Sequence, residues 1–212
     1  MARPKSDTRE QLIGQLVDLF YEYGYDGTTL ALITARTGLG RASIYHHFPG
    51  GKDEIAKAVL LKADDWARTH VDALLASALP PRERLMAYLK VIDEVQYRAS
   101  QLTPANAFGI GNGLERFGAG LRERFVGRTE HLSALLVSCG VSQPVAVRRA
   151  WEAKILIEGA LVCSRVAGDL SLYRGVMQQL QTQLLAPDDC PGVLPAGQVL
   201  PAPSPPQSDE PS

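Results

Sequence analysis

The sequence of 212 residues is long enough for one domain or for a small domain joined to a larger one, and we expect two. Its net charge of −1 excludes a strongly basic protein, and its three cysteines, without a C-x-x-C pair, exclude a disulfide framework and a thiolate zinc site. No apolar run approaches the roughly 18 residues of a membrane span and no secretory leader begins the chain, which predicts a cytoplasmic protein without a membrane partner.

The first predicted helix runs from Asp7 to Tyr23 and stops at Gly24. Apolar residues at spacings of three and four place one broad stripe on this helix. The stripe consists of Leu12, Ile13, Leu16, Val17, Leu19, Phe20 and Tyr23.

Two short helices are predicted next. Thr28 or Thr29 can cap the first of them, which ends where Gly38 supplies a left-handed backbone. The second is predicted over Arg41–Phe48, because Pro49 stops it. Two short helices joined by a turn that contains glycine are typical of a helix-turn-helix, whose second helix enters the major groove of DNA.

The second short helix has an apolar and a polar side. Ile44 and Phe48 lie four residues apart and are predicted to point together into a small core. The polar side consists of Arg41, Ser43, Tyr45, His46 and His47, and Lys52 follows at the start of the next helix. Arginine suits a guanine edge or a phosphate, and serine, tyrosine and histidine donors suit phosphate oxygens. No acidic residue occurs between Asp26 and Asp53, so a modest positive surface is predicted here.

A metal site and a phosphate-binding loop are the two alternatives for this stretch. His46 and His47 project about 100° apart on a helix, so they cannot readily bind one metal ion. Gly50, Gly51 and Lys52 lack the spaced glycine and the Ser or Thr of a phosphate-binding loop, and no strand precedes them. Because the chain also lacks paired carboxylates and a nucleophile with its base, we predict no metal, no cofactor and no enzymatic activity.

The stretch TTLALITARTGLGRASIYHHFPGGKDEI, residues 28–55, resembles the DNA-binding region of the tetracycline-repressor (TetR) family, and the resemblance extends over about residues 7–55. The HHFPGG run is similar to that of the LmrA/YxaF-like branch. Gly40 stands where the family often has a capping serine, and Gly50-Gly51 lengthens the usual turn. The resemblance implies that Arg41, Ser43 and His46 face bases. It also implies that Thr29, Tyr45, His47 and Lys52 hold phosphates.

A long helix is predicted from Lys52 to the break at Pro80-Pro81. It carries Ile55, Val59, Ala63, Trp66, His70 and Leu74 on one face. Further helices are predicted over about Arg82–Ser100, Gly113–Cys139, Val145–Ala167 and Ser171–Leu185. No stretch alternates with the period of a strand, so the fold class is predicted to be all-α. The predicted domains are a helix-turn-helix head (residues 1–51) and a helical body (residues 52–185) for ligand binding and dimerisation.

Candidate ligand contacts lie between about Leu74 and Glu158, with one histidine before them. The candidates are His70, Tyr88, Phe108, Asn112, Phe117 and Trp151. The other interpretation is that the histidine and the aromatic residues belong to a core. The glycine-rich run GIGNGLERFGAG, residues 109–120, is predicted to be a helix junction or a ligand-facing kink.

The last two predicted helices have faces that favour a partner. Residues 155–166 are apolar almost all round, and the last helix carries one apolar stripe opposite four glutamines. In TetR-like proteins the final two helices pair with those of a second copy as a four-helix bundle, so a homodimer is implied. The candidate interface consists of Ile155, Val162, Val166, Leu172, Val176 and Leu180. The alternative is a core within one chain.

Residues 186–212 hold eight of the fourteen prolines and are predicted to be a disordered tail, either a solubilising extension or a docking segment. Taken with the resemblance, the chain is predicted to be a ligand-responsive transcriptional regulator. It would act as a repressor on a palindromic double-stranded DNA operator and be released by a small apolar or aromatic effector. The alternative is a small-molecule binding protein that keeps the fold but does not read DNA.

Overall fold

The structure, a computed structural model, describes residues 8–99 and 103–194, with the side chains of 95–99 left out. Helices α1 to α4 span Arg9–Gly27, Leu30–Thr37, Arg41–His47 and Gly51–Ala67, and a π-helical turn at Arg68–Asp72 leads into α5 at Ala73–Leu75. Helices α6 to α10 span Pro81–Ala99, Pro104–Phe108, Gly111–Ser138, Gln143–Ala167 and Ser171–Gln183. These ranges contain no strand, which confirms the predicted all-α fold.

Helix α1 begins two residues later than the sequence predicts. Its N-terminal cap is Thr8, whose hydroxyl accepts a hydrogen bond from the backbone of Gln11 while the Gln11 side chain accepts one from the backbone of Thr8. The helix is interrupted at Gly24, whose φ of 68° is non-helical as the predicted stop requires, and a further helical turn follows to Gly27. This local break turns the following residue inward, so Tyr25 is buried whereas Tyr23, predicted on the apolar stripe, is 46% exposed.

The head is built on a core that extends beyond residue 51. Ile33, Ile44 and Phe48 are fully buried together with Ile55 of α4. Phe108 of α7 joins the same core and stacks on Phe20 of α1, with ring centroids 5.7 Å apart. The head therefore shares its apolar packing with the body.

The connection from head to body is not the uninterrupted helix that the sequence predicts. The π-turn Arg68–Asp72 follows α4, and α5 ends at Leu75, before Pro80. A π-turn holds one more residue than an α-helical turn and therefore rotates the side chains that follow. Val71 becomes buried, whereas His70 is exposed, with its ring stacked on Trp66 at 4.7 Å. The prediction that His70 lies on the buried face is therefore wrong.

A second core holds the body together. It joins α6, α8, α9 and α10 through buried residues such as Leu85, Leu136, Ala150 and Tyr173. The sequence did not predict α7, whose N-terminal cap is Thr103. Five residues are too few for a helical period to be visible, so only the Thr-Pro start could have indicated it.

The predicted disordered tail begins too early. Arg149 of α9 is only 3% exposed, and its guanidinium donates to the carbonyl oxygens of Ala186 at 2.8 Å and Pro187 at 2.7 Å. The backbone N–H of Leu194 donates to the carboxylate of Glu152 at 2.9 Å. Because buried charged groups require hydrogen-bond partners, these contacts hold residues 186–194 on α9, and the prediction of disorder is wrong for them. Residues 195–212 of the predicted tail lie outside the described residues.

Candidate nucleic-acid interface and effector cavity

The recognition helix, α3, is anchored from below by two residues. Ile44 and Phe48 are both fully buried, which confirms their predicted direction. Gly40 begins the helix without a side-chain cap, as its lack of a side chain requires. The opposite side bears the exposed residues Arg41, Ser43, Tyr45 and His46, with His47 half-buried beside them. The solvent-exposed part of the helix therefore carries several side chains that can donate hydrogen bonds.

Helix α2 is fixed at both ends. The hydroxyl of Thr29 accepts a hydrogen bond from the backbone N–H of Leu32 at 3.2 Å, and Gly38 ends the helix with a φ of 69°. Since the Thr29 hydroxyl is an acceptor in this cap, its own proton is available to a phosphate oxygen. Thr28, which sequence reasoning did not separate from Thr29, is fully buried and donates to the carbonyl oxygen of Gly24 at 2.7 Å.

The turn between α3 and α4 is pressed against the recognition helix. Gly51 has a φ of 62°, and a Cβ atom at this position would lie 3.2 Å from the ring of Tyr45. The N–H of Gly50 donates to the carboxylate of Glu54 at 2.9 Å, and this hydrogen bond is the main reason why the pKa of Glu54 is lowered. Arg9 pairs with the same carboxylate at 2.8 Å. These contacts fix where α4 starts relative to Tyr45.

Lys52 lies close to the protein surface at the start of α4. Its ammonium nitrogen is 4.2 Å from the ring centroid of Tyr25, and partial burial is the main cause that lowers its pKa. The Tyr25 hydroxyl donates to Asp53, and burial together with this bond raises the pKa of Tyr25 to about 12. Arg116 of α8 donates to the other oxygen of Asp53 at 2.5 Å. An ion pair from the body therefore adjoins a residue predicted to hold a phosphate.

The predicted DNA contacts lie on α3 and at the starts of α2 and α4. Arg41, Ser43, Tyr45 and His46 are exposed on α3, Thr29 precedes α2, and the half-buried Lys52 begins α4. His46 and His47 contact each other edge to face, with ring centroids 5.7 Å apart. Together these residues form the candidate nucleic-acid interface.

A cavity of about 350 Å³ lies between the head and the body. Its apolar wall includes Val17, Ala63, Trp66, Val71, Ile92 and Leu132. Its polar lining includes Asp18, Tyr21, Lys62, Tyr88, Arg128 and Lys154. Because Val17, Asp18 and Tyr21 belong to α1, a molecule in the cavity would touch the head as well as the body.

The six predicted ligand contacts are not brought together. Tyr88 lines the cavity, His70 is exposed, and Phe108 and Phe117 pack in the core of the head. Asn112 donates to the carboxylate of Asp26 at 2.8 Å. Trp151 packs on Phe125 with ring centroids 5.9 Å apart. Five of the candidates therefore lie outside the cavity lining.

Sequence reasoning missed the charged residues of the cavity. Lys62, Arg128 and Lys154 come from three different helices. Lys154 pairs with Glu158 one turn later, with 3.3 Å between nitrogen and oxygen. A weak signal existed, because Glu158 interrupts an otherwise apolar stretch of α9.

The candidate dimer surface is mostly exposed. Val166 is 85% exposed, and Ile155, Val162 and Leu172 also present large apolar side chains to solvent. Val176 is half-buried. Leu180 is only 1% exposed and belongs to the core of its own chain, so its assignment to the dimer surface is wrong. The predicted stripe of α10 is divided, because Met177 and Leu180 are buried whereas Leu172 is exposed.

Three comparisons bear on identity. Residues 12–59 match the family model of bacterial regulatory proteins of the tetR family. The chain is 32% identical over 84 residues to the HTH-type transcriptional regulator LmrA of Bacillus subtilis, a match that covers 40% of this chain and 45% of LmrA. It is 28% identical over 187 residues to an uncharacterised HTH-type transcriptional regulator of Mycobacterium tuberculosis, covering 84% of this chain and 94% of that one.

Solved structures show the same fold. A TetR transcriptional regulator from Legionella pneumophila aligns with a TM-score of 0.69 at 20% identity, over 84% of this chain and 97% of that chain. The family match and the two short helices with their turn define a helix-turn-helix transcriptional regulator. Residues 12–59 therefore resemble the DNA-binding region of tetR-family regulators, and the overall fold is similar to that of TetR-family structures. Among the described residues, no helix is both long and apolar enough to cross a membrane.

Proposed function

We propose that the chain is a repressor that binds a palindromic DNA operator as a homodimer and leaves it when a small apolar or aromatic molecule occupies the cavity. The observation that carries the proposal is the recognition helix, whose polar side is exposed while Ile44 and Phe48 fix it from below. The major groove of DNA is about 12 Å wide and admits one helix with its side chains.

The exposed residues divide by chemistry. Arg41 can bind a guanine edge with two hydrogen bonds, and Ser43 and His46 are also exposed on the same helix. The hydroxyls of Thr29 and Tyr45 can donate to phosphate oxygens. His47 and Lys52 are half-buried and add a donor and a positive charge. We assign the first three to base contacts and the others to the phosphate backbone.

The proposed dimer forms through α9 and α10. Ile155, Val162, Val166 and Leu172 leave an apolar surface exposed on one chain, and burying it against the same surface of a second copy removes it from water. Two heads about 34 to 36 Å apart would then read successive turns of a palindrome. A single head makes few contacts, so pairing supplies both affinity and specificity.

The proposed effector response uses the cavity between head and body. Its lining includes Val17 of α1, Trp66 before the π-turn and Tyr88 of α6, so filling it acts on the head and on the connecting helix together. If the effector fits best when the heads are too far apart for the operator, binding is coupled to release. A coupling of about 1 to 3 kcal/mol weakens DNA binding by about 5- to 150-fold.

Selection of duplexes from a random pool by the full chain tests the proposal. We expect an enriched palindrome, bound with an affinity that falls steeply as salt increases. Absence of any enriched sequence, together with weak binding to the DNA upstream of its own gene, would instead favour a small-molecule binding protein that does not read DNA.

A further inference from the structure

Beside the cavity, two arginines share a single acidic partner. Arg124 and Arg128 lie four residues apart on α8, and both guanidiniums pair with the single carboxylate of Asp64 on α4. Arg124 makes the closer contact, whereas the nitrogen of Arg128 lies 3.2 Å from its oxygen. All three side chains are at least two thirds shielded from solvent. One carboxylate balances one guanidinium, so this cluster keeps one positive charge.

Arg128 is the member of this cluster that lines the cavity. Within the residues that the structure describes, Asp64 is its only acidic partner. Asp18 and Lys62 also line the cavity and are exposed. One is negative and the other positive, so together they add no net charge. The excess charge therefore faces the space that a ligand would fill.

The other buried cation of the cavity is already balanced. The ammonium of Lys154 is 3.3 Å from one oxygen of Glu158 and lies over the ring of Phe125. The second oxygen of Glu158 accepts hydrogen bonds from Thr103 and from Asn106, each at 2.6 Å. Glu158 thus joins α9 to the start of α7. Lys154 can offer a further N–H to a ligand but adds no net charge.

The remainder of the cavity suits an apolar body. Trp66, Val71, Ile92 and Leu132 supply its surface, and a volume of about 350 Å³ is at the small end of ligand pockets. Burial raises the pKa of Tyr88 to about 12, so its hydroxyl is protonated near neutral pH and can donate a hydrogen bond. A neutral ligand would shield the unbalanced guanidinium from water, and a cationic ligand would be repelled by it.

We infer that the effector is an amphipathic organic acid, with its apolar or aromatic body beside Trp66 and Leu132 and its carboxylate bound by Arg128. The inference rests on the proposed function and specifies the class of molecule that the same cavity accepts. A planar guanidinium can donate two parallel hydrogen bonds to a carboxylate, which the corresponding amide cannot accept with equal strength.

Matched pairs of probes test the inference in the full chain. The pairs are 1-naphthylacetate with 1-naphthylacetamide and decanoate with decanamide, and binding is measured by calorimetry. We expect at least one acid to bind about tenfold more tightly than its amide, as a charge-assisted hydrogen bond requires. Arg128→Gln should bring this ratio close to one, and the fold should survive because Arg124 still pairs with Asp64. Arg122→Gln, an exposed position on the same helix, is the control and should keep the ratio.

Three results would overturn the inference: neither acid binds, the amides bind as tightly as the acids, or the ratio persists in Arg128→Gln. Adding the same probes to the complex of chain and selected operator separates the two levels of the proposal. If an amide releases the chain from the operator but its acid does not, the inferred organic acid is rejected, while the proposal of a ligand-responsive regulator stands. Failure of the unliganded chain to bind any operator instead rejects the proposed function.

Discussion

The proposed binding surfaces of the head and of the body have opposite shapes. The recognition helix of the head is convex, and its polar residues Arg41, Ser43 and His46 are exposed to solvent. The cavity between head and body is concave, and its charged residue Arg128 is shielded and paired. A side-chain charge that stays exposed to water attracts its ligand only weakly, because water and salt screen the interaction. A side-chain charge that is shielded from water distinguishes strongly between charged and neutral ligands. The comparison predicts that DNA binding by the head depends strongly on salt and that ligand binding in the cavity depends on the one shielded charge of Arg128.

The largest expected effect is a loss of stability when the buried residue beneath the recognition helix is truncated. Phe48 is fully buried beneath the recognition helix and packs in the core that the head shares with Phe108. Phe48→Ala should lower the free energy of unfolding by about 3 to 5 kcal/mol, because it removes a ring and leaves a cavity. Chemical denaturation measures the change. Tyr45→Ala, on the exposed side of the same helix, should change stability by less than about 0.5 kcal/mol, and an equal loss in both variants would contradict the assignment of inner and outer faces.

The next effect concerns the pairing of two heads. Ile155→Glu combined with Val166→Glu places two charges on the proposed dimer surface, where both side chains are exposed in one chain. We expect dimer dissociation to become easier by about 2 to 4 kcal/mol, with a monomeric mass in sedimentation at micromolar concentration.

The matched control for the dimer surface is Val193→Glu, at an apolar residue that is 76% exposed outside this surface. It should leave the mass unchanged. Unaltered sedimentation of the double variant would show that α9 and α10 do not form the interface.

A smaller expected effect, on DNA affinity, distinguishes the proposed base contacts from the proposed phosphate contacts. Arg41→Ala should cost about 1 to 3 kcal/mol on the selected operator and should also reduce the preference for it over a mismatched duplex. Tyr45→Ala should weaken binding to both duplexes equally, since a phosphate contact carries no sequence information. Fluorescence anisotropy on the two duplexes measures both changes, and a uniform loss in Arg41→Ala would remove the base contact assigned to it.

The smallest effect tests the turn that holds the recognition helix. Gly51 has a φ of 62°, and a Cβ there would meet the ring of Tyr45 at 3.2 Å. Gly51→Ala should destabilise the chain by about 1 to 2 kcal/mol, because this backbone conformation disfavours any L side chain. Gly14→Ala is the control, as that glycine is helical and has open space around it, and it should be neutral or stabilising. Thermal unfolding measures the stability of both variants. An equal stability of the two would contradict the predicted strain at Gly51.

The sequence predicts the head well because its determinants are local. The four-residue spacing of Ile44 and Phe48 and the glycine after α2 are sufficient to place the recognition helix, and both are confirmed. The body is less predictable. The π-turn exposes His70, and α7 is too short to show a period. The cavity takes Tyr21, Arg128 and Lys154 from three separate helices, and their proximity follows only from tertiary packing.

The positions of apolar residues on the last helices show the same limit. An amphipathic stripe identifies a buried side, but it does not say whether the neighbour is the same chain or a second copy. Leu172 and Leu180 share the predicted stripe of α10, yet the first is 49% exposed and the second is 1% exposed. A shift of a few tens of degrees around the helix separates the intramolecular core from the proposed dimer surface.

The most direct test is the affinity of the full chain for duplexes that carry two selected half-sites at varied separation, measured by anisotropy at fixed salt. Two paired heads predict a sharp maximum when the half-site centres are about 34 to 36 Å apart or a whole multiple of that distance. The affinity should then fall when a few base pairs are added or removed. An affinity that does not depend on the separation would contradict a dimer that places two recognition helices in the major groove at once.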